Sequence, residues 1–199
     1  NTRHIADRCT FDLAFGLQEL PVFPAPDGMS AYAYLDAMCQ EGLAWRRIEP
    51  TDAVLHQLEY ELGVIERSGL ANYFLIVWDI VRYARVRGIL CQGRGSAANS
   101  LVAYLLSLSP VNPLEHDLVF ERFLSDERQV VPDIDIDFQA DRREEVIQYV
   151  YEHYGHEHAA MACTFVTFRA RSAIRDVGKA LGLPPEVLDR ASRTIDTFK

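Results

Sequence analysis

Three aspartates recur at every second position in the run PDIDIDF, residues 132–138. An extended chain sends alternate side chains to opposite faces. Asp133, Asp135 and Asp137 therefore share one face, and Ile134, Ile136 and Phe138 share the other, where they can enter a core. Successive aspartates then stand roughly 6.6 Å apart at Cα, close enough for their carboxylates to converge on one or two cations. Without a counter-charge they would repel one another and raise their own pKa values. A divalent ion is the simplest compensation, and hard oxygen donors favour Mg²⁺ or Mn²⁺. Two blander readings compete. One is a solvated acidic edge strand, although such edges usually carry lysines or mixed charges. The other is a calcium loop, since Asp133, Asp135, Asp137 and Glu144 fall at EF-hand positions 1, 3, 5 and 12. That loop needs glycine at position 6, where this chain has Phe138.

A second feature lies upstream, the loop Gly93-Arg94-Gly95-Ser96. Glycines let a backbone approach a ligand closely. Ser96 suits a helix N-cap, and a helix starting there would offer N–H groups and a positive dipole end to an anion such as a triphosphate. No GK[ST] follows, so this is not a P-loop, and a tight turn with an ordinary cap is the alternative. Together, a phosphate cradle and paired metal ligands equip a chain for two-metal phosphoryl transfer. Arg94, Arg122 and Arg128 are candidates to neutralise phosphate charge, with surface ion pairs as the competing role for the last two.

The surrounding pattern supplies the elements that must hold these residues. Residues 1–26, with prolines at 21, 24 and 26, read as an extended lead-in. Residues 30–45 have helical spacing. Thr51 caps a second helix, with Val54, Leu55, Leu58, Leu62 and Ile65 on one stripe and Gly69 at its end. Residues 73–78 (YFLIVW) suit a buried strand or the start of a buried helix, followed by a helix over 80–86 that Gly88 stops. A glycine loop over 91–96 leads into an apolar helix over 97–107. Residues 118–124 read as a short helix or strand, and 131–138 as a strand. Asp141 and Glu144 fit a capping box for a helix that Gly155 ends. Residues 159–168 are strand-like, and helices are predicted over 170–181 and 185–195. This order gives a mixed α/β or α+β fold.

Composition narrows the class. The chain has 199 residues, 49% of them hydrophobic, enough for one or two domains that need no disulfide. Its four cysteines form no CxxC pair and read as reduced thiols of a cytoplasmic protein rather than zinc ligands. No apolar run reaches the roughly 18 residues that span a bilayer, so no membrane partner is expected. The start NTRHIADRC has neither an apolar signal core nor an initiator Met, which suggests a piece of a longer chain. The net charge of −9 argues against nucleic acid, but its distribution is uneven. Arg82, Arg85, Arg87 and Arg94 form one basic stretch, and Arg169, Arg171, Arg175 and Lys179 another that faces only Asp176. Solvated helix faces are the competing account of both.

The run GRGSAANSLVAYLLSLSPVNPLEHDLVFERFLSDERQVVPDIDIDF, with RREEVIQYVYEHYG and RARSAIRDVGKALGL, resembles the palm of bacterial C-family DNA polymerases, the alpha-subunit type of DNA polymerase III. The resemblance covers most of the chain from Ser68 onward and, more weakly, the opening IADRCTFDL. Asn99 and the stretch GILCQGRGSAANS are more similar to the error-prone, damage-inducible paralogue. The resemblance implies a polymerase-beta-like nucleotidyltransferase palm over residues 1–164 and the helical start of a thumb over 165–199. It implies that Gly95 and Ser96 bind the phosphates of an incoming dNTP, and Gly93 and Arg94 of the same loop are further candidates. It makes Asp133 and Asp135 catalytic metal ligands for two Mg²⁺ or Mn²⁺ ions, with Asp137 adjacent. It assigns Arg169, Arg171, Arg175 and Lys179 to phosphates of a DNA primer-template. Other replication and repair proteins would bind regions outside this chain. A third catalytic aspartate would also lie downstream, so residues 1–199 alone are expected not to polymerise. Nucleotidyl transfer to another acceptor, or a nucleotide- or metal-binding module without turnover, are the alternatives.

Overall fold

The computed structural model describes residues 3, 8, 20–125, 131–162, 164–165 and 167–194. Most of the lead-in over 1–26, together with Cys9, Arg128, Cys163 and Ile195, lies outside the described residues. The chain divides into two compact units, Asn1–Ala159 and Ala160–Lys199.

In the first unit three helices of equal length follow one another: α1 (Ala31–Arg46), α2 (Asp52–Arg67) and α3 (Ala71–Val86). The first two begin on side-chain caps. Ser30 Oγ accepts from the Ala33 N–H, and Thr51 Oγ1 from the Val54 N–H. Leu35, Cys39 and Leu43 of α1 meet Leu58, Leu62 and Ile65 of α2 and Phe74 and Leu75 of α3 in one continuous core. Leu55, expected on the buried stripe of α2, is 40% exposed. Residues 73–78 belong to α3, and the separate helix expected over 80–86 is its second half. A helix with Tyr73, Ile76 and Val77 half-buried as well as Phe74 and Leu75 fully buried loses its amphipathic period, which is why the sequence could not separate strand from helix.

Beyond Gly88 the chain enters β1 (Cys91–Arg94), which pairs antiparallel with β2 (Asp135–Phe138). The expected glycine loop over 91–96 is thus half strand. The expected strand over 131–138 contributes only its last four residues to the ladder. The helix expected over 97–107 is interrupted: Gly95–Asn99 is a 3₁₀ turn, Ser100 is extended, and α4 spans only Leu101–Leu105. Residues 118–124 hold a 3₁₀ turn at Phe120–Arg122. Among the described residues of 159–168 there is no strand. The described chain is therefore α+β, mostly helical with one two-stranded sheet.

Helix α5 (Arg143–Tyr154) follows β2, and Gly155 ends it at φ 82°. The expected Asp141–Glu144 capping box does not form. Arg142 holds the position instead, with no side-chain cap bond, and its guanidinium donates to both carboxylate oxygens of Glu145 at 2.7 and 2.8 Å. Asp79 of α3 ties α5 down. Its buried carboxylate accepts from Arg82 at 2.7 Å, from Tyr154 at 2.8 Å and from the Tyr149 hydroxyl. Burial opposes its ionisation, but the hydrogen bonds from Tyr149, Arg82 and Tyr154 outweigh that and hold the carboxyl below its ordinary 3.8. Tyr149 also stacks on Tyr83, ring centres 3.8 Å apart.

The second unit is a helical hairpin of α6 (Ala170–Ala180) and α7 (Pro185–Arg193). Gly178 lets the two helices touch: a Cβ there would fall 2.1 Å from Leu188 Cδ2. Gly182 turns the chain at φ +74°, and the N–H of Leu183 returns to the Gly178 carbonyl at 2.9 Å.

Candidate active site

The solvent face of the small sheet carries the aspartates. Asp133, Asp135 and Asp137 are exposed, and Ile134, Ile136 and Phe138 between them are half-buried. Ile134 and Ile136 pack on the main core, and Phe138 packs on the cluster of Ala84, Ile89 and Val146. The alternation read from PDIDIDF is therefore realised. Arg94 is the cross-strand partner of Asp135. Its Nη1 lies 3.5 Å from Asp135 Oδ2 and its Nε 3.1 Å from Asp137 Oδ1. The residue expected to meet phosphate thus supplies the counter-charge of two aspartates.

Asp133 lies two residues before the ladder and is held differently. The Tyr73 hydroxyl, from α3, donates to the Pro132 carbonyl at 2.8 Å and accepts from the Ile134 N–H at 3.3 Å. Ser96 Oγ approaches the Asp133 carbonyl at 3.5 Å.

The two glycines of the loop have separate duties. Gly93 is buried, and a Cβ there would fall 1.9 Å from the Leu108 carbonyl oxygen, so this glycine serves backbone packing. Gly95 adopts φ +75°, and a Cβ there would stand 3.2 Å from Asp135 Oδ2. The turn it begins lies against the aspartate face, and Asn99 Nδ2 donates to the Ser96 carbonyl at 2.9 Å within it.

Ser96 is not the cap of a helix; Ser100 is, accepting from the Ala103 N–H at 3.0 Å. The helix N-terminus expected to receive an anion is already occupied by a side-chain carboxyl group. Glu61, fully buried on α2, accepts from the N–H groups of Leu101 at 2.9 Å and Val102 at 3.1 Å, from Ser100 Oγ at 2.8 Å and from Gln57 at 2.9 Å. Burial pushes its carboxyl above the ordinary range, against the pull of these four hydrogen bonds. With the Leu101 and Val102 N–H groups already bonded to Glu61, that end of α4 has no free donors there for an outside phosphate.

Arg122 is exposed at the end of the Phe120–Arg122 turn, which packs beside the Gly95–Asn99 turn. The upstream basic stretch is largely consumed internally. Arg82 pairs with Asp79, Arg85 donates to the Ser107 carbonyl, and Arg87 lies over the Tyr83 ring. In the second unit Arg171, Arg175 and Lys179 are exposed at i, i+4 and i+8 of α6, hence on one face, and Arg169 immediately precedes the helix. Arg175 also pairs with Asp189 at 3.2 Å. Among the described residues no three His, Cys, Asp or Glu side chains are gathered closely enough to hold a metal ion. Nor is any helix among them long and apolar enough to cross a membrane.

Residues 33–198 match the family model of the bacterial DNA polymerase III alpha NTPase domain. The chain belongs to this polymerase family. It is 50% identical over 192 residues to the DNA polymerase III subunit alpha of Bacillus subtilis, covering 96% of this chain and 17% of that protein. It is equally 50% identical to the error-prone DNA polymerases of Methylococcus capsulatus, over 96% of this chain and 18% of that protein, and of Symbiobacterium thermophilum, over 98% and 18%. The chain therefore spans less than a fifth of these relatives' length. Both branches of the polymerase III alpha family match it at the same identity. Sequence reasoning missed Tyr73 and Glu61. The contacts that give them their roles lie about forty to sixty residues downstream, beyond any local pattern.

Proposed function

We propose that the chain is the palm, with the start of the thumb, of a template-directed DNA polymerase that transfers a nucleotidyl group from a dNTP to a primer 3′-OH. The observation that carries this is the pairing of an exposed aspartate face with the Gly95 turn, in a chain of the polymerase III alpha family. In the proposed reaction the primer oxygen attacks the α-phosphorus and pyrophosphate leaves. The exposed carboxylates are hard oxygen donors and suit Mg²⁺ or Mn²⁺. Asp133 and Asp135 would hold the two ions, with Asp137 as an adjacent contributor. Bound there, such ions lower the pKa of an attacking hydroxyl and neutralise charge on the leaving oxygens.

The chain's own residues do the positioning. Gly95 keeps the turn against Asp135, and its open backbone, with Ser96, faces the triphosphate. Gly93 sets the strand behind it by packing on Leu108. Arg94 and Arg122 offer guanidinium groups to phosphate oxygens. Arg169, Arg171, Arg175 and Lys179 form a basic surface for primer-template phosphates, whose binding should weaken steeply with salt. A third carboxylate, further domains and other replication or repair partners belong to a longer, cytoplasmic polymerase. Asn99 and the stretch GILCQGRGSAANS are the basis for placing the chain in the error-prone branch, beside equal identity to both branches.

Primer extension by the full-length polymerase tests this reading. Asp133→Ala and Asp135→Ala should each lower incorporation by orders of magnitude. Full activity in both would refute the assignment, and transfer to RNA ends in preference to a DNA primer would favour another acceptor. Residues 1–199 alone should extend no primer with Mg²⁺ or Mn²⁺.

A further inference from the structure

Among the described residues Asp133 has no ladder partner, because β2 begins at Asp135 and pairs there with Arg94. Its backbone is held instead from the side. One hydroxyl, that of Tyr73, bonds the carbonyl before Asp133 and the N–H after it. The hydroxyl must be protonated to make the first of these bonds. A phenol, with an ordinary pKa of about 10, is protonated at neutral pH. The ring behind it is anchored: Tyr73 packs edge-on against Phe74, which is fully buried and in turn packs against Phe123.

We propose that Tyr73 is a positioning residue for the Asp133 carboxylate, its hydroxyl holding the peptide groups on either side so that Asp133 presents at a fixed angle beside Asp135. This rests on the reading of Asp133 as a metal ligand. Removing the hydroxyl frees the peptide groups on both sides of Asp133 while leaving Asp135 in its ladder. The loss should therefore fall on metal affinity and on the chemical step, and not on the fold. The residue is remote in sequence from the aspartates and contributes no charge, so nothing in the pattern PDIDIDF points to it.

The test is Tyr73→Phe in the full-length polymerase, beside Asp133→Asn and the double variant. Tyr73→Phe should raise the Mn²⁺ concentration for half-maximal binding, followed by electron paramagnetic resonance, by about tenfold, as loss of an outer support does at other metal sites. It should lower kcat by a similar factor while KM for dNTP changes less than about twofold. Amide exchange at Ile134 should accelerate and that at Ile136 should not. In the Asp133→Asn background the added Tyr73→Phe change should have no further effect on Mn²⁺ binding. Unchanged Mn²⁺ affinity and unchanged Ile134 exchange in Tyr73→Phe, with Asp133→Asn inactive, would overturn the proposal and leave the active-site reading standing. A fall in thermal midpoint without any change in metal affinity would also overturn it, marking the hydroxyl as structural. Full activity of Asp133→Asn would overturn the underlying reading and the proposal with it.

Discussion

Arg94 stands directly across the two-stranded sheet from Asp135, and its guanidinium reaches on to Asp137. The sheet thus carries its own counter-charge on the face where three carboxylates would otherwise repel. Both ion pairs are open to water, with the arginine side chain 61% exposed, so they add little to the fold.

Arg94→Ala should therefore leave stability within about 1 kcal/mol of the parent. It should raise the KM for dNTP in the full-length polymerase by about tenfold, since a charge-assisted bond to phosphate is lost. Arg94→Lys would restore the charge without the planar fork and recover only part of the effect. Thermal melts and steady-state kinetics check both. An unchanged KM would reduce Arg94 to a counter-charge for the aspartates.

Glu61 presents the opposite case, a carboxyl group whose partners are all internal. Glu61→Ala leaves Ser100 Oγ and the N–H groups of Leu101 and Val102 without their acceptor in a buried site. The cost should reach about 3 kcal/mol or more. Glu61→Gln keeps the volume but turns an amide NH₂ toward these donors, and should also destabilise. Urea denaturation measures both, and a loss below about 1 kcal/mol would show that α4 finds another cap.

The aspartate alternation and the cap of α2 were legible because their signals are local. Thr51 sits three residues before the N–H group it accepts, and PDIDIDF reports its two faces by period alone. The cap of α4 was misplaced because Ser96 and Ser100 are chemically equal candidates. What decides between them is Glu61, forty residues upstream, which binds the N–H of Leu101. The capping box at Asp141 gave way to Arg142, whose guanidinium found both oxygens of Glu145. Gly93 shows the same limit, since glycine in a GxG loop signals close approach without saying whether to a ligand or, as here, to the carbonyl of Leu108.

Asp79 sets the expected pH dependence of the α3–α5 junction. A carboxyl held below its ordinary 3.8 in the fold contributes stability that is fully present above that value. The contribution is lost as pH falls through the lower, folded pKa. Asp79→Asn should therefore be less stable than the parent near neutrality and should lose less on acidification. Urea midpoints measured from about pH 6 down to about pH 3 should converge for the two proteins. Parallel curves would mean that the tyrosine and arginine contacts do not favour the ionised form.

The central claim is that Asp133 and Asp135 bind divalent metal, and direct Mn²⁺ binding to the full-length polymerase tests it without turnover. Asp133→Asn and Asp135→Asn should each weaken Mn²⁺ binding by at least about tenfold, and Asp137→Asn by less. Unchanged Mn²⁺ affinity in both of the first two variants, with the proteins folded, would contradict the assignment.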